Sequence, residues 1–134
     1  MKAAHGGARI MVIDDDPMLL GFTCKYLSRL GYSVAPYRSA EEAWRAFQAP
    51  AADYSLVVID LSMPGIPGEQ LSQMMLSANP GIRLILTSGY PFDMEKLPGA
   101  APDRMAFLHK PFTPAMLAET VERLLSGGAE SDVD

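Results

Sequence analysis

Three consecutive aspartates, Asp14-Asp15-Asp16, close the first apolar run of this sequence, and a single aspartate, Asp60, closes another. Thr87-Ser88 and His109-Lys110-Pro111 stand in the same position after two further runs. Several carboxylates brought together repel one another unless a cation or a proton offsets them. A cluster that offers only oxygen suits Mg²⁺, which keeps waters that a phosphate can displace. Lys110 supplies a fixed positive charge, and the hydroxyl of Thr87 can bond a phosphoryl oxygen. Such a set contains a nucleophile, metal ligands, a cation and a donor. Phosphoryl transfer depends mostly on positioning and charge stabilisation, and these groups provide both.

These residues are useful together only if the chain gathers them. The apolar runs Ile10 to Ile13, Ser33 to Tyr37, Leu56 to Ile59, Ile82 to Leu86 and Met105 to Leu108 have strand length. Helical patterns alternate with them. The first, after Pro17, carries Leu19, Phe22, Tyr26, Leu27 and Leu30 on one side and stops at Gly31. The second opens on Ser39 with Glu42 three residues on, a capping box, and places Ala40, Ala43, Trp44 and Phe47 inward. The third begins near Pro67, carries Leu71, Met74, Met75 and Ala78, and ends at Asn79-Pro80-Gly81. The last starts at Thr113-Pro114 and turns Met116, Leu117, Val121, Leu124 and Leu125 to the core. Between Gly89 and Arg104, the prolines Pro91, Pro98 and Pro102 leave room for only a short or distorted element. Five strands alternating with helices predict a doubly wound α/β fold around a parallel sheet, with ligands at the carboxyl ends of the strands.

At 134 residues and 49% hydrophobic content, one domain is expected. Residues 1–8 and 126–134 read as a glycine-rich linker and a flexible acidic tail around a folded part over 9–125. The net charge of -5 and the lack of a basic run argue against direct nucleic-acid binding. A lone cysteine, Cys24, fits a reducing, cytoplasmic setting and reads as a packed helix residue. No signal peptide or membrane span is expected. Asp16 reads as the cap of the first helix rather than a metal ligand. His109 reads as a structural or surface residue, and the nine methionines as gap-fillers, with Met18 and Phe112 near enough to the site to seat a partner.

The motifs MVIDDDP from Met11, VVIDLSMPG from Val57, LILTSGY from Leu84 and LHKPF from Leu108 resemble, in order and spacing, those of the receiver domain of two-component response regulators. The resemblance spans about Arg9 to Leu125. It implies a five-stranded flavodoxin-like sheet in the order 2-1-3-4-5 and makes Asp60 the phosphoacceptor. It assigns Mg²⁺ to Asp14, Asp15, Asp60 and the backbone carbonyl of Ser62. Thr87 and Lys110 then contact the phosphoryl group, Phe107 is the switch aromatic, and Pro111 follows a cis peptide bond. The implied partner is a histidine kinase or a histidine phosphotransfer domain, docking over the first helix and the loop after the fifth strand. LTSGYP and the linker-like ends resemble receivers attached to hybrid histidine kinases.

Two departures stand out. Pro67 replaces an aspartate common before Gly68 in the family, and Phe107 lacks the hydroxyl of a tyrosine switch. One competing reading is a Mg²⁺-dependent aspartyl-nucleophile phosphohydrolase, whose first motif Asp14-x-Asp16 superficially fits. It leaves Asp60 unexplained and lacks a cap domain and a late acidic pair. Another is a pseudo-receiver that binds without phosphorylation, against which the intact Asp60, Thr87 and Lys110 weigh.

Overall fold

The apolar runs form parallel strands β1 (Arg9–Ile13), β2 (Ser33–Tyr37), β3 (Leu56–Asp60), β4 (Arg83–Ser88) and β5 (Met105–His109), ordered β2-β1-β3-β4-β5. The computed structural model describes residues 5–49, 53–97, 99 and 103–127. Pro98 and Pro102 of the proline-rich stretch lie outside the described residues, as do 1–4 of the head and 128–134 of the tail. The central strand β3 is buried along its whole length, which is why it reads as one continuous apolar run. Pro36 sits in β2, an edge strand, where a missing N–H need not interrupt a ladder.

Helices α1 (Pro17–Arg29) and α4 (Pro114–Leu125) cover one face of this sheet. Helices α2 (Ala40–Phe47) and α3 (Gly68–Ala78) cover the other. The connection from β4 to β5 contains one turn of 3-10 helix, Met94–Lys96, as the prolines around it predict. Asp93 caps that turn by accepting from Glu95 N–H at 3.0 Å, and Leu97 is buried beneath it.

The caps stand where the sequence puts them. Asp16 accepts from Met18 N–H at 3.0 Å, Ser39 from Glu42 N–H at 3.2 Å, and Thr113 from Met116 N–H at 3.1 Å. Pro67 precedes α3 with no side-chain cap.

The inward face of α1 differs from the expected stripe. Leu20, Thr23 and Leu27 are buried with Cys24 packed beside them, while Phe22 is 66% exposed. Spacing of three and four residues makes Leu20, Thr23, Cys24 and Leu27 one face, and a threonine within it hides that face in an apolar count. Ser72 and Leu76 of α3 are likewise buried where Ala78 was expected, and Met116 of α4 is 45% exposed. At the opposite pole, Gly7 N–H donates to Gly31 O at 2.8 Å and His5 Nε2 lies 3.0 Å from Ser126 Oγ, so residues 5–8 run beside the end of α4.

Candidate phosphoryl-transfer site

Side chains alternate across a strand. Ile10 and Val12 point into the core beneath α1 and α4, so Asp14 continues their row beyond the end of β1. Val58 leads in the same way to Asp60, Ile85 to Thr87, and Ala106 and Leu108 to Lys110. The register pairs Ile13 with Ile59, Asp60 with Thr87, and Thr87 with Leu108, which sets the four rows side by side. A convergent polar site therefore follows from one parity shared by four strands.

One further backbone bond fixes each row just past its last strand pair. Asp14 N–H donates to Tyr37 O at 3.1 Å, Leu61 N–H to Thr87 O at 2.8 Å, and Lys110 N–H to Ser88 O at 2.8 Å. Asp14, Asp60 and Thr87 are buried, whereas Asp15 is exposed. Carboxylate oxygens of Asp14, Asp15 and Asp60 lie within 4.8 Å of one another. Lys110 Nζ stands 3.4 Å from Asp14 Oδ2 and 3.4 Å from Asp60 Oδ2, bridging the two buried acids. Asp14 Oδ1 accepts from Asp16 N–H at 2.9 Å, and Asp60 Oδ1 from Ser62 N–H at 3.0 Å.

Burial pushes the Asp14 carboxyl above its ordinary value, and the neighbouring Asp60 carboxylate adds to the rise; the Asp16 N–H and the Lys110 ammonium pull the other way. One lysine thus leaves the cluster short of positive charge. An all-oxygen donor set with excess negative charge, one carboxylate of it open to solvent, fits a hard cation such as Mg²⁺.

Local backbone chemistry supports this arrangement. A Cβ on Gly68 would meet Leu61 Cα at 2.7 Å and Asp60 O at 3.2 Å, so only glycine lets α3 start this close to the acidic strand end. Gly65, in the same loop, has φ +88°. The Lys110–Pro111 peptide is cis. Phe107 belongs to the opposite parity: it packs on the α3 side, 6.2 Å from Phe92 and 6.3 Å from His109 between ring centroids. His109 is exposed, and Asp16 is occupied as a cap.

Ser88 stands beside Thr87 at the strand end expected from the sequence, with a role that its residue type does not display. Its hydroxyl accepts from Tyr90 N–H at 2.9 Å, and its carbonyl holds Lys110. A serine followed by glycine at a strand end is a turn signal that could have marked it.

The sequence profile described as the response regulator receiver domain matches residues 10–122. The sensor kinase CckA of Brucella abortus is 30% identical over 122 residues, covering 90% of this chain and 13% of that protein. The response regulator receiver protein CpdR of the same organism is 26% identical over 117 residues, 87% of this chain and 96% of its own length. The structure of the response regulator TrrA of Thermotoga maritima, in complex with Mg²⁺ and beryllofluoride, superposes with a TM-score of 0.75 at 28% identity, over 87% of this chain and 98% of that one. The chain spans between 13% and 28% of the length of its sensor-kinase and transcriptional-regulator relatives.

Proposed function

The chain belongs to the response regulator receiver domain family, and from that premise we propose that Asp60 is its phosphoacceptor. The observation that carries this is the bridge of Lys110 Nζ to both Asp14 and Asp60 at 3.4 Å, within an acidic cluster at the carboxyl edge of the sheet. An Asp60 oxygen attacks the phosphorus of a phosphohistidine; the P–N bond breaks and its electrons return to the imidazole. Asp14, Asp15 and Asp60, with the Ser62 carbonyl, would hold Mg²⁺, which supplies charge neutralisation for the incoming phosphoryl oxygens. Lys110 holds the buried carboxylates before transfer and gives its ammonium to the phosphoryl group after it. The buried Thr87 hydroxyl, beside Asp60 in register, donates to another phosphoryl oxygen.

The family is a signalling switch, and this chain is read as one that assists only its own phosphorylation and dephosphorylation. Its phosphodonor is a histidine kinase or histidine phosphotransfer domain. Exposed Met18 and Phe22 on α1 and Met116 on α4 offer an apolar surface on the face that carries the acidic rows. A cytoplasmic setting follows from that donor and from the single thiol. Among the described residues, no helix is long and apolar enough to cross a membrane. Residues 9–125 form the receiver, with 1–8 and 126–134 as linker and tail. Within this reading, the chain relays phosphate or gates a partner.

Intact-mass measurement with Mg²⁺ and acetyl phosphate or phosphoramidate tests the assignment. One added phosphate is expected, absent in Asp60→Ala and formed more slowly in Asp14→Ala. An undiminished adduct in Asp60→Ala sinks it.

A further inference from the structure

The connection from Gly89 to Leu97 has little helix of its own to hold it. Its internal backbone bonds are Lys96 N–H to Asp93 O at 3.1 Å and Leu97 N–H to Met94 O at 3.0 Å, a single turn. Its position is set instead by side chains seated on the sheet. Tyr90 N–H is tied to the Ser88 hydroxyl at the start, and Leu97 is 3% exposed at the end. In the middle, Phe92 and Met94 pack on the core beneath α3. The ring of Phe92 lies 6.2 Å from that of Phe107 at 46°, within the range where aromatic pairs attract beyond area burial alone. A segment with so few backbone bonds moves when its seats move.

We propose that Phe92 is a positioning residue: it packs on Phe107, which strand parity sets on the α3 side of the sheet, and couples it to the Met94–Lys96 turn, so that this turn reports events at Asp60. This rests on Asp60 being the phosphoacceptor. Phe107 lies on β5, three residues before Lys110, whose backbone N–H is held by Ser88 next to Thr87. A displacement of Thr87 or Lys110 therefore reaches Phe107 through two adjacent strand ends, and Phe107 meets the connection through Phe92. Of the side chains that seat the connection, Phe92 is the one in ring contact with Phe107, and the described residues there form only a single helical turn.

Methyl NMR of the full chain with labelled methionines tests this, with Mg²⁺ and beryllofluoride as the probe. Met63, three residues after Asp60, reports the site; Met94 reports the turn. In the native sequence both methyl resonances should shift. In Phe92→Ala the Met63 shift should persist and the Met94 shift should be lost, and Phe92→Tyr should restore it. A persisting Met63 shift shows that the variant folds and forms the site, and Phe92→Leu, which keeps apolar volume without a ring, should recover the Met94 shift only in part. A Met94 shift of native size in Phe92→Ala, or a silent Met94 in the native chain while Met63 responds, overturns the proposal. A native chain in which neither responds overturns the phosphoacceptor reading as well.

Discussion

The two faces of the sheet share its strands but end differently. On the α1/α4 face, the rows from Ile10, Val58, Ile85 and Ala106 run out into Asp14, Asp60, Thr87 and Lys110. On the α2/α3 face, the alternate rows pack through Ile13, Ile59, Leu86 and Phe107 before ending in Asp15, Leu61, Ser88 and His109, and one crossover shrinks to a 3-10 turn. One parity of the strands carries the buried reactive groups; the other carries packing, and Asp15 is its contribution to the acidic cluster. Reaction and response can thus be altered separately, because neighbouring residues on one strand belong to different faces.

The largest effect should come from the cores, which the comparison treats as equals. Leu27→Ala on one face and Met75→Ala on the other each remove a fully buried side chain, and each should cost about 2–5 kcal/mol in urea unfolding. A marked inequality would break the symmetry of packing on which the contrast rests. Next is Lys110→Ala, which leaves two buried carboxylates without their shared cation. Phosphorylation by a small donor should slow by on the order of a hundredfold, whereas His109→Ala, on the other parity, should leave the rate within about twofold. Rapid-quench labelling measures both.

A smaller effect concerns pH. Burial raises the Asp14 pKa above its ordinary 3.8, so in the metal-free chain the folded state holds that proton more firmly than the unfolded state does. The associated stability is present below the unfolded value and is lost as pH rises through the folded one. Melting curves in chelator should show this loss, Asp14→Asn should flatten it, and Mg²⁺ should offset it at neutral pH. The smallest effect is Phe22→Ser on the exposed side of α1. Stability should change by no more than about 0.5 kcal/mol, and labelling by acetyl phosphate should be unchanged, while transfer from a histidine phosphotransfer domain slows.

Much of the reactive face was legible in the sequence because acids, hydroxyl and lysine each follow a strand-length apolar run, and strand ends at one edge must meet. The short fourth connection was legible from its prolines. The inward face of α1 was not: Thr23 interrupts it, and exposed Phe22 outweighs it in any count of apolar residues. Ser88 was hidden for another reason, since its contribution lies in a carbonyl and a turn that residue type alone does not display. Phe92 stood at the start of the turn expected between the prolines, over Phe92 to Leu97, but its contact with Phe107 joins residues that are 15 apart in sequence.

The most direct test of the account is to locate the phosphoryl group chemically. Borohydride reduction of the acyl phosphate formed with Mg²⁺ and acetyl phosphate, followed by peptide mass mapping, should convert residue 60 and no other aspartate to homoserine. Homoserine at Asp14 or Asp15, with Asp60 intact, would contradict it.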